Sequence, residues 1–487
     1  MRVFLAHGSK AVKRKKRTEF LKTVFIFVLL FVFVFLGYKI IKTKRLISPE
    51  ALRADSASGE SGAITNNEDA INLYFEYTSP DYIMLSREGA REVFYCDSEY
   101  YQKAEKIIKE ANKSIFMPDA EITEVEDEKT MSSLIALNSL CASYTYRRYP
   151  KYSIQFLSGG DNKISNNIQT YKKMIVVPGE KEKDSLSVYI TDEKTEKTFK
   201  VSTSVSSAAL MRLMNVVKED GAKKYSYAYE LNFGKEPKNS GGIKTVGMNP
   251  DILIPLVKIS KPEAEVRVPS VFGRGMGGSS GGELVAEIAQ TFGMNMGSLR
   301  QYIDKENTVV CVSEAATLKI YSNGVVEYNA APLKGGINLA GGTKLNSGNS
   351  YFYSFTGVAR IINALSKLAR NDDSLVKIRL SDLQSESTEV AEYKFIYDWY
   401  LDGVKVLSQP YHGVEATVSE GRLSYMRMNI KQFDTGYRQI ETEPLLSAID
   451  RYFAERPEDS RRSITDCRLV YPLEEGTESM QAKWNVY

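Results

Sequence analysis

Residues 20–38, FLKTVFIFVLLFVFVFLGY, decide the topology of this chain, because they contain no polar side chain between Val24 and Leu36. A helix of this length, at about 1.5 Å per residue, is about 28 Å long, enough to cross a hydrocarbon core of about 30 Å. Lys22 and Lys39 lie near its ends, where long basic side chains reach the head groups. The pattern predicts one transmembrane helix over residues 19–41.

The residues on either side of this helix predict its orientation. Residues 1–18 contain seven Lys or Arg and no acidic residue, so the positive-inside rule predicts a cytoplasmic tail there and an extracytoplasmic body beyond the helix. A cleaved signal peptide is the alternative, but it has a shorter apolar region of about 7–15 residues and a small-residue cleavage site. Here the basic run KIIKTKR follows. We therefore expect a single-pass protein of the cell membrane.

Charge and cysteine content limit what the external part can be. Beyond residue 45 the chain has 52 basic and 60 acidic residues, which argues against nucleic-acid binding. Cys96, Cys141, Cys311 and Cys467 are far apart and lack the spacing of a metal site. They are interpreted as isolated buried thiols, with a Cys96–Cys141 bridge as the alternative. The sequence predicts no metal and no cofactor.

Composition divides the chain after the helix. Residues 42–70 are small and polar, as is typical of a linker. About 440 external residues predict about three domains, with boundaries at glycine-rich stretches. The predicted domains are a first α/β domain at 71–245, a second α+β domain at 246–342 and a third α+β domain at 343–487. The fold class is α+β with mainly antiparallel sheets.

Periodicity and turn signals predict individual elements within these domains. Apolar residues at helical spacing predict helices at 100–111, 132–146 and 356–370. Asn-Gly at 323–324 and Asp-Gly at 402–403 predict tight hairpins, because both central residues of such turns take positive φ.

A glycine-rich loop at 273–282, GRGMGGSSGG, matches two catalytic motifs. Its first glycines fit the G-x-G-x-x-G of dinucleotide-binding folds, but a hairpin follows where a parallel strand is needed. Ser279 and Ser280 fit the G-x-S-x-G nucleophile elbow of α/β-hydrolases. That chemistry needs a histidine, and His412 is the one histidine beyond the predicted helix. The sequence around His412 is typical of an ordinary turn, so we predict a binding or regulatory protein, not an enzyme.

Three passages resemble YycH-type proteins and their sister family, YycI. They are ELVAEIAQTFGMNMGSLRQYIDKENTVVCVSEAATLKIYSNGVVEYNA at 283–330, YKFIYDWYLDGVKVLS with VEATVSEGRLSYMRMNI at 393–430, and ITDCRLVYPLEEGTESMQAKWNVY at 464–487. The resemblance implies a non-enzymatic regulator of the WalK/WalR (YycG/YycF) two-component system, which controls cell-wall metabolism in Gram-positive bacteria. It implies as partners a sensor histidine kinase and a sister YycI-type protein in a hetero-oligomer, and the third domain would be YycI-like.

Members of this family contact their partners largely through transmembrane helices, which makes Phe25, Phe27, Phe31 and Val34 the candidate partner-contact residues here. The helix lacks small-xxx-small spacing, so such a contact would pack bulky side chains. Two alternatives remain open at this point. One is a cell-envelope binding or assembly protein, and the other is a wall-modifying serine hydrolase.

Overall fold

The computed structural model of the chain describes residues 68–96, 98–125, 134, 138–158, 162–217, 224–231, 248–249, 251–273, 279–332, 335–371, 375–387, 391–455, 464–474 and 476–487. All of them belong to one compact unit, residues 60–487. The predicted cytoplasmic tail and the predicted transmembrane helix at 19–41 lie outside the described residues. Among those that are described, no helix is both long and apolar enough to span a bilayer.

The helices of the described part are mostly short. They are α1 (Glu68–Tyr77), α2 (Glu99–Ile115), α3 (Pro150–Leu157), α4 (Lys163–Asn167), α5 (Ala208–Val216), α6 (Ser270–Gly273), α7 (Ser279–Thr291), α8 (Ser350–Ser366) and α9 (Leu445–Ala454). Three 3₁₀ turns accompany them, at Ala228–Leu231, Met296–Ser298 and Lys367–Ala369.

Strands make up most of the remaining structure. In the first half they are β1 (Tyr82–Arg87), β2 (Ala90–Tyr95), β3 (Ile122–Val125), β4 (Ser139–Arg148), β5 (Tyr171–Val177), β6 (Ser185–Thr191), β7 (Thr198–Ser206), β8 (Tyr225–Tyr227), β9 (Leu253–Pro255) and β10 (Ser260–Arg267). In the second half they are β11 (Arg300–Ile303), β12 (Val309–Val312), β13 (Ala316–Ile320), β14 (Val325–Ala330), β15 (Ile337–Asn338), β16 (Val376–Ser387), β17 (Ala391–Leu401), β18 (Val404–Ser408), β19 (Val414–Ser419), β20 (Arg422–Asn429), β21 (Gln432–Glu441), β22 (Cys467–Leu473), β23 (Ser479–Met480) and β24 (Lys483–Val486).

Two large sheets organise these strands. The first has the order β2-β1-β4-β5-β6-β7-β3, and the second has the order β11-β12-β13-β14-β20-β19-β17-β18-β22-β24, with β15 on β20 and β16 on β17. Every pairing in both is antiparallel except β18 with β22. The predicted α+β class with mainly antiparallel sheets is confirmed.

The second sheet crosses a predicted domain boundary. Strand β14 lies before residue 342, and its partner β20 lies after it, with Val325 opposite Asn429. The strands of 246–342 and 343–487 therefore share one sheet. The division of the external part into three domains stays a prediction.

Local sequence accounts for the elements that were predicted correctly. Helix α2 begins behind Ser98, whose hydroxyl oxygen accepts a hydrogen bond from the Tyr100 amide, and its apolar stripe is buried. In α8 the predicted apolar face is buried along Val358, Ile361, Ile362 and Leu365. The predicted hairpin between β13 and β14 forms, but of its two predicted turn residues only Gly324 has positive φ, 86°, whereas at 402–403 both residues do, 46° and 74°.

The helix predicted at 132–146 is wrong from Ser139 on. From Ser139 to Arg148 the chain forms β4, a strand paired with β1 on one side and β5 on the other. Tyr144, Tyr146 and Arg148 alternate towards the buried face of the strand. The apolar run SLCAS looked helical because a strand buried on both faces has no alternation to reveal it.

The predicted thiols are observed. Cys141 and Cys311 are buried in the core, Cys96 and Cys467 are half-buried, and no disulfide joins Cys96 to Cys141. Burial raises the pKa of Cys141 to about 11, so this thiol remains protonated and unreactive at neutral pH.

Replacing Gly324 with Ala should destabilise the protein more than replacing Gly89 with Ala. Both glycines have positive φ, 86° and 88°, so both replacements strain the backbone by about 1–2 kcal/mol. A Cβ at Gly324 would also lie 2.5 Å from the Ile430 carbonyl oxygen, whereas nothing lies within 4 Å at Gly89. Denaturant unfolding of both variants measures the difference, and equal losses of stability would contradict the hairpin geometry.

Candidate functional site

The first described element after the predicted linker is helix α1, which attaches the folded unit to the N-terminal part of the chain. Ala70, Tyr74, Phe75 and Tyr77 are buried, so one face of this short helix lies inside the core. A helix of this length would be marginal alone in water. Tertiary contacts must therefore hold it.

Aromatic rings pack α1 against elements from both halves of the chain, α3 from the first half and α8 and β17 from the second. Tyr74 stacks on Phe156 of α3 at 4.3 Å between ring centroids, and its edge meets Phe355 of α8 at 5.6 Å. Tyr77 packs edge-on against Tyr397 of β17 at 5.6 Å. Such ring pairs contribute about 0.5–1.5 kcal/mol each beyond the area they bury. Helix α1 therefore belongs to both halves of the core.

Residues 78–81, which follow α1, form what we call the junction segment. Its first carbonyl, that of Thr78, accepts a hydrogen bond of 2.5 Å from Arg148, a side chain that is almost completely buried. Arg148 also donates to the Tyr74 hydroxyl at 2.9 Å and lies over the rings of Tyr144 and Tyr146. A buried cation is costly unless it is hydrogen-bonded, so these contacts define the position of Thr78.

A second buried arginine holds the other end of the junction segment. Arg379 of β16 donates to the Pro80 carbonyl at 2.7 Å, and the Tyr101 hydroxyl of α2 donates to the same oxygen at 2.5 Å. Arg379 lies over the rings of Tyr400 and Tyr101, 4.9 and 5.8 Å from their centroids. The segment is thus held from the first sheet by Arg148 and from the second by Arg379.

Asp81 completes the junction segment with a carboxylate between the two sheets. One of its oxygens accepts from the Tyr400 hydroxyl of β17 at 2.7 Å, and the other accepts a short hydrogen bond from Thr145 of β4. Burial, and after it the Asp81 charge, raise the pKa of Tyr400, so its hydroxyl stays protonated and donates. The arrangement offers no nucleophile or exposed base. It can fix the position of a chain segment, but it does not resemble an active site.

A separate charged cluster surrounds Asp398, which is 1 % exposed. Its carboxylate lies 2.7 Å from the Lys405 ammonium and 3.1 Å from His412 Nδ1, and it accepts a hydrogen bond of 2.6 Å from Ser381. Burial alone would raise the pKa of Asp398, but the bond to His412 and the Lys405 charge hold it well below its usual range. The bond to Asp398 in turn raises the pKa of His412.

The His412–Asp398 pair has the geometry of the two supporting members of a catalytic triad. Ser279 and Ser280 open helix α7, but their side chains and residues 274–278 lie outside the described part of the chain. The two motif matches of the glycine loop, which were not adopted as predictions, therefore fall largely on residues outside the described part. Within the described residues, no group of three or more His, Cys, Asp or Glu is arranged to hold a metal ion.

The predicted partner-contact residues Phe25, Phe27, Phe31 and Val34 also lie outside the described residues. Sequence analysis missed the junction segment altogether. One signal was available for Arg148, because Tyr-x-Tyr-x-Arg at 144–148 alternates like a strand and places the arginine on its aromatic face. Arg379 carries no such signal, since its carbonyl partner lies 299 residues away along the chain.

The architecture is that of a mixed α/β protein with two large, mostly antiparallel sheets joined through a buried polar segment. No family profile matches the sequence, and no curated protein is detectably similar to it.

The fold is similar to that of a solved protein, YycH from Bacillus subtilis. The TM-score with its crystal structure is 0.51, covering 84 % of this chain and 94 % of that chain at 11 % sequence identity. The chain therefore has a YycH-like fold, which confirms the resemblance drawn from its sequence.

Replacing Tyr400 with Phe should lower the free energy of unfolding by about 1.5–3 kcal/mol, the usual contribution of a hydrogen bond to a charged group. Tyr397 on the same strand is the matched control. Its hydroxyl is equally buried and has no hydrogen-bond partner among the described residues, so Tyr397→Phe should be neutral or stabilising. Denaturant unfolding of both variants tests the junction, and an equal effect of the two substitutions would contradict it.

Proposed function

We propose that this protein is a membrane-anchored, extracytoplasmic regulator that binds a sensor histidine kinase and modulates its state without catalysing a reaction. The observation that carries the proposal is the YycH-like fold over 84 % of the chain. The predicted helix at 19–41 would hold the protein in the cell membrane with its N-terminus in the cytoplasm. By the same resemblance, the kinase would be of the WalK type, and the regulated process would be cell-wall metabolism.

The junction segment suits such a role. A regulator alters a kinase only if its contacts change the free-energy difference between two states of the kinase. Helix α1 is where the external fold continues into the linker and the predicted membrane helix. Helix α1 and residues 78–81 are bonded to both large sheets. A displacement caused by a contact on the external surface would therefore reach the linker, because α1 would move with the sheets and would not unfold locally.

The predicted membrane helix is the proposed contact with the kinase and with a sister YycI-type protein. Phe25, Phe27, Phe31 and Val34 would pack against the partner helices. Without small residues at regular spacing, the attraction would come from dispersion contacts of large side chains. The resulting assembly would be a hetero-oligomer within the bilayer.

A wall-modifying serine hydrolase is the second candidate, and the His412–Asp398 pair is the one observation that favours it. The same carboxylate also binds Lys405 and Ser381. Structural ion-pair networks perturb pKa values as catalytic sites do, so this cluster does not require a catalytic histidine. The regulator is therefore preferred.

Exchanging residues 19–41 for an unrelated transmembrane helix of equal length should abolish co-purification of the kinase from native membranes. A single substitution gives a finer test. Phe31→Ala should reduce the captured kinase, whereas Phe33→Ala, about 200° around the helix, should not. The signalling output of the kinase in the same cells reports on regulation.

Undiminished capture by the exchanged helix would contradict the helix contact. Unchanged signalling output after deletion of the whole protein would contradict the regulatory role itself.

A further inference from the structure

The outer edge of the second sheet is formed by a strand with unusual exposure. All four residues of β11, Arg300 to Ile303, are exposed, including Tyr302 at 54 % and Ile303 at 46 %. Among the described strands it pairs with β12 alone, whose Val309, Val310 and Cys311 are buried. An exposed edge carrying large apolar side chains is a template for pairing with another strand, and proteins normally protect it with proline, bulges or charge.

The backbone groups of β11 that face away from β12 can be identified. The Asp304 amide donates to the Thr308 carbonyl at 3.0 Å, so the backbone of Asp304 faces β12. The backbone groups of alternate residues in an antiparallel strand face the same side, so those of Tyr302 and Arg300 face β12 as well. Gln301 and Ile303 then direct their N–H and C=O groups outward. These outward groups are available for an added strand.

We infer that β11 pairs with β11 of a second copy of this chain in an antiparallel arrangement whose two-fold axis passes through Tyr302. This register places Gln301 opposite Ile303 of the second copy and Ile303 opposite its Gln301. Each of these pairs exchanges both backbone hydrogen bonds, because all four residues face outward. The second sheets of the two copies become one continuous sheet, which removes both exposed edges.

Charge complementarity selects the second copy as the occupant and also selects the register. With the axis at Tyr302, Arg300 lies opposite Asp304 of the second copy. By the same symmetry, Asp304 lies opposite Arg300 of the second copy. One Asp304 oxygen already accepts the amides of Glu306 and Thr308, which fixes the position of the carboxylate. Moving the axis to Gln301 would still pair the outward backbone groups but would place Arg300 opposite a tyrosine. The two ion pairs therefore favour the Tyr302 axis.

The inference is independent of the proposed function, because it concerns a sheet edge in the external part and not the predicted membrane helix. An interface built on four-residue strands is small, so we expect a weak dimer that is favoured when the chain is concentrated in a membrane. The partner required is a second copy of the same chain.

Cysteine crosslinking of the full-length protein in native membranes tests the register. Tyr302→Cys should give a disulfide-linked homodimer under mild oxidation, since Cα atoms of a non-hydrogen-bonded pair lie about 4.5 Å apart, within disulfide range. Gln301→Cys and Ile303→Cys are the matched controls. Neither should crosslink alone, but the two expressed together should crosslink to each other. The unmodified chain, with its native cysteines, sets the background.

Charge reversal tests the ion pairs. Arg300→Glu in the Tyr302→Cys background should weaken dimerisation about tenfold, whereas Arg300→Lys, which keeps the positive charge, should not. Arg300 and Tyr302 are exposed, so these variants should fold normally. Absence of a Tyr302→Cys homodimer, equal crosslinking at Gln301→Cys, or crosslinking of Tyr302→Cys to a different protein alone would each overturn the inference. Kinase co-purification from the same membranes reports separately on the proposed function.

Discussion

Two buried guanidinium groups on either side of a single chain segment are the constraint on which the rest of this structure depends. Arg148 and Arg379 come from different sheets, and they donate to the carbonyls of Thr78 and Pro80. Their Nε groups have no acceptor among the described residues, so both cations rely on these carbonyls and on the surrounding tyrosine rings. Leaving a buried donor without its acceptor costs about 1–3 kcal/mol, and more when the donor is charged. If the junction segment left its site, both cations would stay buried in an apolar environment without these hydrogen-bond acceptors.

This constraint links the fold to the proposed role. Under the proposed function, the protein influences a kinase only through its position and its contacts. Helix α1 ends at Tyr77, and the clamped carbonyls follow immediately, so the point where the linker meets the fold is also the point where the two halves of the fold meet. The Asp398 cluster is a compact ion-pair network on the same strands, where Asp398 is the cross-strand partner of Arg379.

Much of the secondary structure could be predicted because it is coded locally. Turns such as 323–324 and 402–403 need positive φ, and glycine next to asparagine or aspartate supplies it. Helix α8 has a clear apolar face. The first half of strand β4 could not be recognised, because its residues from Ser139 to Ala142 are all buried and show no alternation. The junction segment could not be predicted for another reason, since Asp81 and Tyr400 are 319 residues apart and no local pattern links them.

Native-state hydrogen exchange in helix α1 is the most direct test of this account. If the two arginines and the aromatic rings hold α1 and the junction segment in both halves of the core, the amides of the buried residues Tyr74, Phe75 and Tyr77 should open only when the central strand β17 opens. Their exchange should then follow that of β17 as denaturant is added. Exchange of these amides by local opening, while β17 stays protected, would contradict the claim that the attachment point is fixed in the core.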